Sequence, residues 1–129
     1  MFYMKIYLGI DYGKSKIGLA KADEETRIAT PLRVLRGGRV SGPEEVKKVV
    51  QEEEVDEIVV GYPLSLSGEA GAQAKEVDEF IKELESSGKP VHRQDERFSS
   101  RDAVSENEDD ASAAALILKT YIDSITTSS

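Results

Sequence analysis

The stretch GIDYGKSKIGLA, residues 9–20, decides the fold, because it sets one carboxylate, Asp11, at the end of an apolar run and follows it with a glycine-punctuated turn. Residues 6–10 are apolar enough for a buried strand, and burying the Asp11 carboxylate without a partner would cost several kcal/mol. Gly13 permits a tight turn, and residues 17–20 resume the apolar pattern as a returning antiparallel strand. The stretch therefore predicts a hairpin that presents an acid at its end.

Such a hairpin suits more than one kind of site. A strand acid beside a glycine-rich turn can hold Mg²⁺ with a nucleotide phosphate, as in actin-like ATPases, or with a phosphodiester, as in nucleases of the ribonuclease H type. Asp11 could also serve only to shape the turn, since Asp is common at such positions. The hairpin alone leaves these alternatives open.

Length and composition narrow the chemistry. The 129 residues fit one domain, predicted over residues 1–125 with 126–129 as a frayed tail, and exclude a two-domain ATPase. Cys is absent and His92 is the only His, which excludes thiol catalysis, thiolate zinc sites and multi-His metal sites. No run reaches the ~18 apolar residues of a membrane helix and no signal peptide is evident, so we expect a cytoplasmic protein without membrane contact.

The charge is distributed unevenly along the chain. The net charge of −8 argues at first against a nucleic-acid partner. However, residues 1–43 carry eight Lys/Arg against four Asp/Glu, a balance of +4, whereas residues 44–129 have a balance of −12. The basic side chains near Asp11 in the sequence could line one side of a site or be scattered solvated charges: Lys14, Lys16, Lys21, Arg27, Arg33, Arg36 and Arg39. In the first case, Lys14, Lys16, Arg33, Arg36 and Arg39 would form a small cationic face for nucleic acid.

Periodicity predicts the element order β-β-β-α-β-α-β-α. Strands are expected at about 5–11, 16–22, 28–35, 57–61 and 91–94, with Pro31 making the third an edge strand. Helices are expected from a capping box at 41–44 to about residue 54, over the stripe Val77, Phe80, Ile81 and Leu84, and from 111 to 125. An initial meander followed by helix-separated strands predicts an α/β fold, a five-stranded mixed sheet with helices on both faces.

Two further acidic groups lie at the ends of elements. Asp95-Glu96 follows the fifth strand, and Asp109-Asp110 precedes the last helix. Each has an ordinary explanation, a surface ion pair for the first and helix capping for the second. Converging with Asp11 at one edge of the sheet, they would instead repel unless divalent cations lay between them, and two such ions can clamp a phosphodiester.

Four ordered motifs resemble those of the YqgF family. They are Gly9-Ile10-Asp11-Tyr12-Gly13, Val59-Val60-Gly61-Tyr62-Pro63-Leu64 with Gly68, Asp95-Glu96-Arg97-Phe98-Ser99-Ser100, and Asp110-Ala111-Ser112-Ala113-Ala114 with Leu116-Ile117-Leu118. That family has a ribonuclease H-like fold and is described both as Holliday junction resolvases and as nucleases for the 5′ end of pre-16S ribosomal RNA. This chain has Phe98-Ser99-Ser100 where the family usually has Leu-Thr-Thr, and a short polar segment, 101–109, where the family usually has a longer helical one.

The resemblance implies a nuclease that uses Mg²⁺ or Mn²⁺. Its metal ligands and catalytic residues would be Asp11, Glu96 and Asp110, with water as the nucleophile and no covalent intermediate on the protein. The expected partner is structured RNA during ribosomal RNA maturation, bound by a monomer or weak homodimer. The alternatives are a Holliday junction resolvase acting on DNA, a non-catalytic nucleic-acid-binding factor in ribosome assembly, and a fragment of an actin-like phosphotransferase.

Further side chains are candidates for contacts with nucleic acid. Lys14 and Lys16 lie on the hairpin, and Arg97, Ser99 and Ser100 follow the fifth strand, so all five are predicted to contact phosphate. Arg97 could equally pair with Asp95 or Glu96. Tyr62 is expected to pack its loop rather than stack on a base, and His92, inside a strand, is expected to be structural rather than a general base.

Overall fold

The computed structural model describes residues 4–13, 16–36, 38–63, 71–95 and 110–126, which form five strands and three helices. Their order is β1 (Ile6–Tyr12), β2 (Lys16–Asp23), β3 (Thr30–Arg36), α1 (Gly38–Glu52), β4 (Glu57–Tyr62), α2 (Ala72–Glu85), β5 (Val91–Asp95) and α3 (Asp110–Thr126). The predicted element order is therefore confirmed. No helix in these ranges combines the length and apolar character needed to cross a bilayer.

The strands form one mixed sheet in the order β3-β2-β1-β4-β5. The first three strands pair antiparallel, while β4 pairs parallel to both β1 and β5. Pro31, which has no N–H to donate, lies on the edge strand β3 as predicted. The register between β2 and β3 shifts between Leu19 and Ala20, close to Pro31. The predicted mixed sheet is confirmed.

Each face of the sheet is covered by helices, and a separate apolar cluster fills each interface. The larger cluster packs α1 and α2 against one face and contains the predicted stripe Val77, Phe80, Ile81 and Leu84. The smaller cluster packs α3 against the other face. In α3 the buried side chains include Ile117, whereas Ile125, the last residue of the predicted helix, is 42% exposed.

Two element boundaries differ from the prediction. α1 begins at Gly38 rather than at a cap formed by Ser41, so Pro43 lies inside the helix. Because Pro43 lacks an N–H, this turn forms with one main-chain hydrogen bond fewer, and the Pro signal for the first helical turn placed the start too late. β3 begins at Thr30 rather than at Ile28, whose side chain is 67% exposed.

The end of α1 forms a Schellman motif around a glutamate. The N–H of Val55 donates to the carbonyl of Val50 at 2.9 Å, and the N–H of Glu54 donates to the carbonyl of Gln51 at 3.3 Å. Glu54 has a φ of 55°, the left-handed region in which Gly is favoured because it lacks a Cβ. The helix end therefore has both hydrogen bonds of the motif, but the backbone of Glu54 is strained.

We expect Glu54→Gly to raise the free energy of unfolding by about 0.5–1 kcal/mol, because it removes this strain at the position that terminates α1. Chemical denaturation of both proteins measures the change. Glu52→Gly, inside the last turn of the same helix, is the control and should destabilise by about 1 kcal/mol. Equal effects of the two variants would contradict the assignment of the motif.

Candidate functional site

The side chains of β1 alternate between the two faces of the sheet. Leu8, Ile10 and Tyr12 belong to the cluster beneath α1 and α2. Tyr7 belongs to the cluster beneath α3. Because successive side chains of a strand point to opposite faces, Asp11 lies on the α3 face, half-buried at the carboxyl end of the strand.

α3 runs antiparallel to β1 and brings its first turn toward Asp11. At the start of β1 the Tyr7 ring lies 6.3 Å from the Tyr121 ring. Two residues further on, a Cβ built on Gly9 would lie 2.7 Å from the Leu118 Cβ and 2.8 Å from the Ala114 carbonyl oxygen. The numbering of α3 thus decreases along β1, and the helix crosses Gly9 closely.

The same progression places Asp11 near the start of α3. From Gly9 to Asp11 the strand advances about 7 Å. From Ala114 back to Asp110 the helix advances about 6 Å. The backbone therefore brings the first residue of α3 to the same end of the sheet as Asp11, which is the arrangement that a site shared by Asp11 and Asp110 requires.

Glycines lie beside Asp11 on both neighbouring strands. Gly18 of β2 is its direct partner in the antiparallel ladder. On the other side, the parallel register pairs Ile10 with Val60, so Gly61 follows beside Asp11. Neither glycine has a side chain, so the positions directly beside Asp11 on β2 and β4 do not cover its carboxylate on the α3 face.

The acids after β5 divide between the faces. Asp95 pairs with Tyr62 in the parallel register, and Tyr62 packs against the cluster beneath α1 and α2. Asp95 therefore lies on the face opposite Asp11. Glu96 lies outside the described residues, and of Asp110 the structure describes the backbone only. Among the described side chains no group of three or more His, Asp or Glu residues is arranged to hold a metal ion.

The remaining predicted contacts are only partly described. Lys14, Arg97, Ser99 and Ser100 lie outside the described residues, and Lys16 begins β2 with an exposed side chain. Arg33 pairs with Leu19, faces α1 and approaches Glu52 at 3.8 Å, so its predicted place on a cationic face with Lys16 is wrong. Alternation along β3 separates Arg33 from Arg36, and the sequence count of charges did not consider faces.

Tyr62 packs as predicted rather than standing free for a base. Its hydroxyl donates to Asp78 Oδ2 at 2.8 Å, and the Arg93 guanidinium lies 5.7 Å from its ring centroid. The hydrogen bond to Asp78 raises the pKa of the Tyr62 hydroxyl. The side chain therefore connects β4 to α2 on the face opposite Asp11.

His92 belongs to a cluster at the far end of the α3 face. Its Nε2 lies 2.6 Å from Glu57 Oε1, and its ring stacks 5.1 Å from that of Tyr121. Lys5 Nζ contacts the other Glu57 oxygen at 2.9 Å. Burial, the largest single influence, raises the pKa of the Glu57 carboxyl, but the hydrogen bonds and charges of Lys5 and His92 outweigh it and hold that pKa below its usual value.

We expect Glu57→Gln to lower the free energy of unfolding at pH 7 by about 1–3 kcal/mol, because the carboxylate pairs with Lys5 and contacts the His92 ring nitrogen. Since the folded pKa lies below the unfolded value of about 4.3, this stabilisation is present above that value and is lost as pH falls through the folded pKa. Denaturation between pH 3 and 7 measures both effects. Glu44→Gln, which removes an exposed carboxylate paired with Lys47, should change stability little.

Sequence reasoning identified Asp11 but missed its surroundings. Gly18 and Gly61 appear in the sequence as ordinary strand glycines, and only the register sets them on either side of the acid. Gly9 belongs to the first motif, and in the structure its missing side chain lets α3 pack closely against β1. Isolated glycines within predicted strands were the available signal, since they often mark close approach of a ligand or another backbone.

The chain matches the RuvX family, described as Holliday junction resolvase, over residues 5–124. A protein of an Anaeromyxobacter species named "Putative pre-16S rRNA nuclease" is 38% identical over 91% of this chain and 96% of its own length. A protein of Fusobacterium nucleatum with the same name is 33% identical over 93% of this chain and 98% of its own. These similarities extend over nearly the whole chain.

Solved structures share the fold at low sequence identity. The T. thermophilus RuvC in complex with a Holliday junction substrate superposes with a TM-score of 0.63 at 14% identity, covering 95% of this chain and 96% of that one. The large terminase nuclease of phage G20c superposes with a TM-score of 0.51 at 16% identity, covering 92% of this chain and 56% of that one. The predicted ribonuclease H-like fold is confirmed.

Proposed function

This chain belongs to the RuvX family, whose YqgF motifs it carries, and from that premise we propose that it is a divalent-metal-dependent nuclease that processes the 5′ end of pre-16S ribosomal RNA. The observation that carries the proposal is the meeting of Asp11 and the start of α3 at one end of the sheet. An acid at the end of β1 and an acid at the start of α3 come from distant parts of the sequence. Their approach is what a shared cation site needs.

The surroundings of Asp11 fit a divalent cation. Carboxylate oxygens are the ligands that Mg²⁺ and Mn²⁺ prefer, and a chain with no Cys and one distant His offers no softer set. The flanking glycines place no side chain beside the carboxylate. When bound, the cation would supply Lewis-acid stabilisation of the charge that develops on the phosphodiester.

We assign the cation to Asp11, Glu96 and Asp110. Asp95 is disfavoured because it lies on the face that α2 covers. Its neighbour Glu96 is the residue that the Asp-Glu-Arg motif aligns with the acid that the YqgF family has after this strand. In this assignment the three acids hold the cation and orient the scissile phosphate. Water attacks the phosphorus, the bond from phosphorus to one ribose oxygen breaks, and that oxygen leaves as a hydroxyl after taking up a proton. No side chain becomes covalently attached.

RNA is the substrate that the charge distribution favours. The relatives' names refer to pre-16S ribosomal RNA. A net charge of −8 with few cations near Asp11 suits a small footprint on one strand, cut once by a monomer or weak homodimer. Symmetric cleavage of a four-way DNA junction, the alternative raised by the family's description, would need two sites fixed by a stable dimer.

Cleavage assays on two substrates test the proposal. Purified protein is incubated with a pre-16S ribosomal RNA 5′ leader or a four-way DNA junction, with Mg²⁺, Mn²⁺ or EDTA, and its mass is measured by sedimentation. We expect cleavage of the RNA that EDTA abolishes. Paired nicks in the junction by a dimer, with intact RNA, would establish the DNA alternative, and binding without cleavage of either substrate would establish a non-catalytic assembly factor.

A further inference from the structure

Two cations stand directly opposite each other where β2 begins and β3 ends. Lys16 and Arg36 are partners in the antiparallel ladder, and both side chains are exposed. Like charges at directly opposed positions repel, so this pair lowers stability in the free protein. A bound anion would remove that repulsion, since it can accept hydrogen bonds from both side chains.

The pair lies on the same face as Asp11. Gly18 pairs with Asp11 on one side and with Val34 on the other, which places all three on the α3 face. Lys16 and Arg36 are each two residues from these positions and therefore share that face. A diagonal neighbour on the adjacent strand is about 7–8 Å away, so Lys16 begins at about that distance from Asp11. Arg36, one strand further out, begins at about 12 Å from Asp11 and lies on the edge strand.

Three other cations on or beside the first three strands approach acidic side chains, whereas Lys16 and Arg36 have no such partner among the described residues. Lys5 pairs with Glu57, Lys21 with Glu53, and Arg33 approaches Glu52. Across the ranges that the structure describes, neither Lys16 nor Arg36 has an acidic side chain within ion-pair distance. Their charge thus stays available for an external anion.

Of the helices that the structure describes, the most acidic one lies on the other face. α2 carries five Asp/Glu against two Lys, while α3 carries two Asp against one Lys. A polyanion is therefore repelled less by α3 than by α2. Approach from the α3 side of the sheet brings it to Asp11 and to the two cations together.

We propose that Lys16 and Arg36 form a phosphate clamp that holds the RNA backbone as it leaves the scissile phosphate at Asp11 and runs toward the edge strand β3. The identity of the bound polyanion as RNA rests on the proposed function. Arg36 supplies a planar fork that fits two phosphate oxygens, and Lys16 supplies a mobile point charge beside it. Together they set the direction in which the RNA strand crosses the β-sheet.

Salt-dependent binding tests the clamp with a matched control. Anisotropy of a fluorescent single-stranded RNA leader fragment is titrated in EDTA, which prevents metal-dependent cleavage, between 50 and 200 mM salt. The variants are Lys16→Gln, Arg36→Gln, the double variant and Arg33→Gln. Arg33 is the control, because its loss removes the same charge from the same strand on the opposite face.

We expect Lys16→Gln and Arg36→Gln each to weaken binding about three- to tenfold and to reduce the slope of log K against log salt by about 0.7, with about twice that reduction in the double variant. Arg33→Gln should leave the slope unchanged, and Arg36→Gln should not lower the melting temperature. Equal slopes for Arg36→Gln and Arg33→Gln would overturn the clamp. Cleavage with Mg²⁺ is assayed separately. If the wild-type protein binds RNA through the clamp but does not cleave it, only the proposed nuclease function is refuted.

Discussion

Asp11→Asn is expected to abolish metal-dependent cleavage, with a loss of more than about 100-fold, while leaving the melting temperature equal or higher. Removing an outer partner of a metal ligand costs about 10–100-fold, so removing a ligand should cost more. Asn keeps the size of Asp, and in the proposed three-acid site the change removes a charge that repels the other two acids. Initial cleavage rates and thermal unfolding, each with and without Mn²⁺, measure both parts.

The thermal data carry information that activity alone does not. In the wild-type protein Mn²⁺ should raise the melting temperature, because it binds only the folded state, and Asp11→Asn should lose that rise. Asp123→Asn, which removes an exposed carboxylate paired with Lys119, should keep it. Normal cleavage by Asp11→Asn, or a loss of its fold, would show that Asp11 is not held for a metal.

Gly9→Ala is expected to destabilise the protein by about 1–3 kcal/mol and to lower its melting temperature by roughly 5–12 °C. The new Cβ would lie 2.7 Å from the Leu118 Cβ and 2.8 Å from the Ala114 carbonyl, both fixed to the helix backbone. No rotamer change can relieve these contacts, so α3 must move away from β1. Its first turn moves with it, and cleavage should fall beyond what the unfolded fraction explains.

Gly71→Ser is the matched control for this substitution. Gly71 lies at the N-cap of α2, and a Cβ built there meets no atom within 4 Å. Ser is a favourable N-cap residue, so its stability should stay equal or rise slightly. If Gly9→Ala matched Gly71→Ser in melting temperature and cleavage, α3 would not cross β1 as closely as described.

Much of the fold follows from local patterns in the sequence. The apolar stripe of α2 has helical periodicity, and β4 contains a short, continuous run of β-branched residues. Both elements lie where these patterns predict. The start of a helix is less well determined by the sequence. Pro43 predicts a first helical turn, yet α1 begins at Gly38. The stabilisation from packing α1 against the sheet outweighs the cost of the one hydrogen bond that Pro43 cannot donate.

The site depends on register and face, which sequence patterns do not contain. The acids of the sequence could be ranked by their place at element ends, but only the alignment of β5 with β4 placed Asp95 on the face opposite Asp11. The pairing of β3 with β2 likewise placed Arg33 and Arg36 on opposite faces. A one-residue change of register moves a side chain to the opposite face of the sheet, and the register is decided by pairing between strands that are distant in the sequence.

A crystal structure of the protein soaked in Mn²⁺, with anomalous scattering recorded for the metal, tests the central claim most directly. We expect one or two manganese peaks at the carboxyl end of β1, ligated by Asp11, Glu96 and Asp110, on the face that α3 covers. Manganese absent from this end of the sheet, or an Asp110 carboxylate directed into solvent away from Asp11, would contradict the three-acid site.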